Sequence, residues 1–119
     1  MNPNEVFYSM IGIDEPSWAQ RSADYALSVL DALEKKDWQI SLTFCDDDTI
    51  QTLNRDYRHA DSPTDVLSFV LGEYEPIEGG ESIYLAGDIV ISIPAIERKA
   101  KEYGIGEDEE LRRLIIHGI

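Results

Sequence analysis

Four short apolar segments, set between stretches whose apolar residues recur at helical spacing, restrict this chain to an α+β fold. The clearest is Gln39-Ile40-Ser41-Leu42-Thr43-Phe44, which alternates polar and apolar residues with the period of two that leaves one strand face wet and one buried. Val6–Ile11, bounded by Asn2-Pro3 and Gly12, reads as a strand before it, and Val66–Leu71 as a third. Tyr84–Ser92 is a continuous apolar run, which suits a more buried fourth strand.

The helices are read from capping signals and spacing. Asp14 and Pro16 give a start for a helix whose stripe is Trp18, Tyr25, Ala26, Val29, Leu30 and Leu33. Asp46-Asp47-Asp48 precedes Ile50, Leu53 and Tyr57 at helical spacing; it suits an N-terminal cap, with a metal cluster as the other reading. Ser92 and Pro94 open a helix with Ile96, Ala100 and Tyr103, which Gly104 ends. A last helix runs from Gly106-Glu107 through Leu111, Leu114 and Ile115 to His117. Gly72–Ser82, with several Glu and Gly residues and no periodicity, reads as a mobile acidic loop and a lid candidate. The expectation is one domain over residues 1–119, a four-stranded mixed sheet with helices packed on it, in the order β-α-β-α-β-β-α-α.

Ten basic against twenty-four acidic residues give a net charge of −14, which repels nucleic acid and anionic membranes at long range, so any phosphate partner must be met locally. No apolar run approaches the roughly 20 residues that cross a bilayer, and the N-terminus lacks the basic start of a secretory signal, so a cytoplasmic protein is expected. Cys45 is the only cysteine; it forms no internal disulfide and reads as a small buried hydrophobe. Gly104, Gly106 and Gly118 flank a short helix with no strand leading in, so they make no dinucleotide fingerprint.

Chemistry-bearing candidates are few. His117, three residues after Leu114, reads either as a core histidine or as a metal ligand. Its neighbours Leu114-Ile115-Ile116-His117-Gly118-Ile119 form an apolar end without an evident cap, as of a chain cut rather than finished. Arg58, followed by the loop His59–Thr64, reads either as a surface ion pair or as a fork for two phosphate oxygens.

Three blocks together resemble the YbeY family of metal-dependent ribosomal-RNA-processing endoribonucleases: Leu53–Arg58 with Asp61–Phe69, then Gly87–Ser92, then Leu114–Gly118. The stretch Pro63-Thr64-Asp65-Val66-Leu67-Ser68-Phe69 is the most specific; Val70 departs from it, where relatives commonly carry proline, and is expected to affect only the exit of strand three. The resemblance implies that His117 opens a His-Gly-x-Leu-His-Leu-x-Gly-x-Asp-His motif whose three histidines hold one zinc ion, with the other two at positions 121 and 127, beyond Ile119. One imidazole gives no chelate, so the 119 residues alone are expected to hold zinc weakly or not at all and to be inactive. It also implies that Arg58 is catalytic and binds the RNA phosphate, while Thr64, Asp65, Ser68 and Asp88 fix the walls of the cleft. The implied function is single-strand-specific cleavage of ribosomal RNA in its maturation and in ribosome quality control, with the ribosome or ribosomal proteins as further partners. The alternatives are a metal-dependent hydrolase of another substrate and a non-catalytic ribosome-assembly factor with an acidic docking surface. The sequence sets no oligomeric state.

Overall fold

In a computed structural model the described residues are 4–76 and 82–118. Their order is β1 (Glu5–Ile11), α1 (Ala19–Ala32), β2 (Trp38–Cys45), α2 (Asp47–Arg58), β3 (Val66–Pro76), β4 (Ser82–Ser92), α3 (Ile93–Tyr103) and α4 (Glu107–Gly118). The sheet runs β1-β2-β4-β3. β2 is parallel to β1 on one side and to β4 on the other, while β3 is antiparallel to β4 and forms an edge.

The alternation in β2 does what its period requires. Ile40, Leu42 and Phe44 are buried with Ile89 and Ile91 of β4, Ala26 and Leu30 of α1, and Leu111, Leu114 and Ile115 of α4. Trp18 meets Phe44 edge-on at 5.4 Å. Burying a side chain of Phe44's kind contributes about 1.5–3 kcal/mol, so this layer dominates the stability of the sheet. Val90, which alternates with Ile89 and Ile91, points the other way and packs with Cys45, Ile50 and Leu67 under α2. The consecutive apolar residues Ile89-Val90-Ile91 of β4 follow from this placement: α1 and α4 cover one face, and α2 covers the other.

Local chemistry sets the helix ends. The Asp46 side chain accepts from the Thr49 amide at 2.9 Å and caps α2. Ser92 caps α3 through the Ala95 amide, and Gly104 closes it at φ 67°. Ser92 Oγ also donates to Asp47 at 2.8 Å, and Arg98 grips the same carboxylate at 2.7 and 3.2 Å, so the start of α2 is tied to α3.

Four expectations require correction. α1 starts at Ala19, not at the Asp14-Pro16 signal, because Pro16 lies in a turn whose carbonyl accepts the Ala19 amide. Leu33, Tyr57 and Tyr103 are exposed rather than buried in their stripes; Asn54, not Tyr57, is the buried residue near the end of α2. The acidic segment 72–82 is largely strand: Glu73, Tyr74, Glu75 and Pro76 pair with Leu85, Tyr84, Ile83 and Ser82, and only residues 77–81 lie outside the described residues. β3 does not end at Leu71 but runs on to Pro76, through a register shift between Val70 and Glu73.

Candidate active site

Arg58 closes α2. The next residue, His59, takes the left-handed conformation at φ 58°, one that His tolerates better than most side chains, and its amide returns to the Arg55 carbonyl. Asn54, only 5% exposed, donates from its side chain to the Ser62 carbonyl at 3.0 Å, and Gln51 reaches Asp61 at 3.1 Å. The loop after Arg58 is therefore folded back along α2 and held there. Arg55 is paired with Asp56 at 3.1 Å, whereas the exposed Arg58 has no ion pair among the described residues. Tyr57 stands edge-on to Phe69 at 5.3 Å, which sets this end of α2 against β3.

Thr64 and Asp65 lead into β3. With Pro63 they line a polar groove of about 380 Å³ whose far wall is Arg98, Lys99 and Glu102 of α3. The Asp65 carbonyl accepts the Ser92 amide at 2.9 Å, which fixes the start of β3 against the end of β4. Ser68 and Asp88 line a different groove, of about 140 Å³, on the β3–β4 pair, together with Trp38, Ile40 and Tyr84. Gly87 lies in its floor at φ 146°, and a Cβ there would stand 2.0 Å from the Phe69 carbonyl oxygen, so only glycine lets the two strands approach.

His117 belongs to the last turn of α4, and its imidazole lies outside the described residues. Among the described residues no group of three or more His, Cys, Asp or Glu side chains is placed to hold a metal ion. The six candidates thus fall into separate places. Ser68 and Asp88 share a groove, Thr64 and Asp65 share another, and Arg58 ends a helix on the face of the sheet opposite α4.

Two polar features escaped the sequence reading. Glu110 of α4 is fully buried and holds Arg113 through two bonds of 2.7 and 3.0 Å. The hydrogen bonds that Arg113 donates to Glu110, and then the charge of Glu110, raise the Arg113 pKa, with Asp65 among the smaller contributors. The i, i+3 spacing of the pair was the available signal, but it is common on exposed helix faces and says nothing of burial. The second is the tie between Asp47 and Arg98: the Asp47 carboxyl is held below the usual range mainly by the Arg98 hydrogen bonds, against the opposing effect of burial.

Helices on both faces of a mixed four-stranded sheet, an antiparallel edge strand and grooves on the edge pair define a small α+β protein with its polar candidates around β3 and β4. The family model described as Endoribonuclease YbeY matches residues 10–119, and the chain belongs to that family. It is 50% identical over 99 residues to Endoribonuclease YbeY of Treponema denticola, covering 83% of this chain and 64% of that protein. To the Treponema pallidum protein of the same name it is 40% identical over 117 residues, covering 98% of this chain and 72% of that one. The match to the Pelotomaculum thermopropionicum protein, 51% identical over 81 residues, takes in 53% of the relative. The chain therefore spans between about half and three quarters of these relatives. The solution structure of TM1509 from Thermotoga maritima has a similar fold, with TM-score 0.62, 27% identity, and coverage of 94% of this chain and 69% of that one.

Proposed function

We propose that the protein is a metal-dependent, single-strand-specific endoribonuclease that hydrolyses RNA phosphodiesters in ribosomal-RNA maturation and ribosome quality control in the cytoplasm, with residues 1–119 as one domain of it. The family match across residues 10–119, which takes in all three sequence blocks, carries this reading. Among the described residues no helix is long and apolar enough to cross a membrane.

In this reading Arg58 is the group that touches substrate. Its exposed guanidinium, without an ion pair among the described residues, is available to hold two phosphate oxygens in a fork and to stabilise the charge that gathers on them as the ester bond breaks. Asn54 and Ser62 keep the following loop in place, so the guanidinium is presented from a fixed helix end. Asp65 fixes the start of β3 through the Ser92 amide, Thr64 lines the polar groove beside it, and Ser68 and Asp88 line the strand groove. The reading takes one zinc ion as cofactor, with His117 as a ligand. The described residues do not by themselves fit a metal ion, since they offer no group of three donors.

The partners are ribosomal RNA and the ribosome or its proteins. With a net charge of −14 the chain cannot draw RNA in from a distance, so contact is made locally or with a basic partner's help. That charge also favours a second reading, a non-catalytic assembly factor that docks basic ribosomal proteins. Arg58→Ala in the intact polypeptide separates the two. With zinc supplied, cleavage of unpaired ribosomal RNA should fall about a hundredfold with little change in RNA affinity. Cleavage at the wild-type rate would remove Arg58 from the chemistry, and no cleavage by the wild-type protein itself would favour the assembly factor.

A further inference from the structure

The groove that holds Ser68 and Asp88 continues outward along aromatic rings. Trp38 and Tyr84 line it. The Trp38 and Tyr84 ring centroids are 4.7 Å apart, and Tyr84 and Tyr74 are 4.9 Å apart. Register explains the row, because Trp38 partners Tyr84 across β2 and β4, and Tyr84 partners Tyr74 across β4 and β3. The Lys35 ammonium sits 4.8 Å from the Trp38 ring centroid, at the inner end.

The outer end is not explained by packing. Tyr74 is 72% exposed on the edge strand, so it buries too little apolar area to serve as a core residue. Glu73 and Glu75 alternate with it and project from the opposite face of β3, which leaves aromatic surface on the ladder side. Nucleobases stack on exposed rings whatever their sequence, and a cation beside the rings suits the phosphate that joins them. Such a row needs no strong positive field, which a chain of net charge −14 does not have.

We propose that the exposed Tyr74, backed by the half-buried rings of Tyr84 and Trp38 and with Lys35 at the far end of the row, forms a subsite on which unpaired bases of single-stranded RNA stack next to the groove at Ser68 and Asp88. The inference rests on the nuclease reading, since it takes RNA as the ligand. It is tested by fluorescence anisotropy with a labelled, unstructured oligoribonucleotide and with an RNA duplex. Tyr74→Ala should weaken single-strand binding roughly tenfold, and Tyr74→Thr, which keeps strand propensity, should do the same. Tyr74→Phe should bind as wild type, duplex affinity should not change, and the urea midpoints of all variants should stay near that of the parent. Wild-type affinity in both Tyr74→Ala and Tyr74→Thr, or a loss that Tyr74→Phe shares, overturns the subsite. If the wild-type protein binds no single-stranded RNA at all, the nuclease reading fails too, and that result needs no variant to recognise.

Discussion

Replacing Gly87 by alanine forces the β3–β4 pair apart at the floor of the Ser68 groove. The new Cβ would lie 2.0 Å from the Phe69 carbonyl oxygen, 3.0 Å from its carbon and 3.2 Å from the Val70 Cα. All three are backbone atoms, so no side chain can swing aside. At φ 146° the residue also occupies a region L side chains rarely adopt, which costs about 1–3 kcal/mol. Relief by separating the strands gives up roughly two ladder hydrogen bonds at about 1 kcal/mol each. The sum is about 3–5 kcal/mol, a large share of the roughly 5–15 kcal/mol that holds a domain folded. Urea unfolding followed by tryptophan fluorescence reads this as a midpoint lower by roughly 2 M, for a slope of about 2 kcal/mol/M. Gly104→Ala is the control: φ is 67° and nothing lies within 4 Å of its added Cβ, so only the left-handed penalty of about 1–2 kcal/mol applies. If Gly87→Ala were no more destabilising than Gly104→Ala, the close approach of the strands would be refuted as the reason for glycine at this position.

Two further perturbations follow from the titratable groups. Asp47 has its folded pKa lowered, chiefly by Arg98, so it contributes stability that is complete above the unfolded carboxyl value near ~4 and is lost as pH falls through the folded value. Asp47→Asn should therefore lose less stability than wild type between neutral pH and strong acid in urea titrations; equal losses would dismiss the Arg98 clamp as an acid-sensitive tie. Cys45 is pushed up to about 12 by burial first and by the charges of Asp46 and Asp47 second. A disulfide reagent at mildly alkaline pH should leave the folded protein unmodified and titrate one thiol in denaturant, and fast labelling of native protein would contradict the packing under α2.

The sequence revealed most where one face of an element is buried. Ile40, Leu42 and Phe44 were legible because burial alternates along β2, and Asp46 and Ser92 because a cap needs a short oxygen-bearing side chain at a fixed offset. The outer part of the β3–β4 hairpin was not legible. Glu73, Tyr74 and Glu75 are all exposed, so hydrophobic alternation is absent and pairing rests on the backbone and on one ring contact. Tyr57 and Tyr103 show the reverse error, since a large ring at helical spacing looks like core wherever it points. The candidate residues could be named from their blocks, but their spacing along the chain could not say that α2 and α4 take opposite faces, which depends on sheet order.

That sheet order also governs the order of assembly. β3 and β4 are neighbours in the chain and can zip together locally, whereas β2 must wait for β4 with α2 and β3 synthesised in between. Closing so long a loop adds little at equilibrium, about 0.6 kcal/mol for each doubling of length. During synthesis, however, the row of amides and carbonyls on the β4 side of β2 remains unmatched until Ser92 has emerged, which makes Trp38–Cys45 the stretch of the nascent chain most open to a wrong partner.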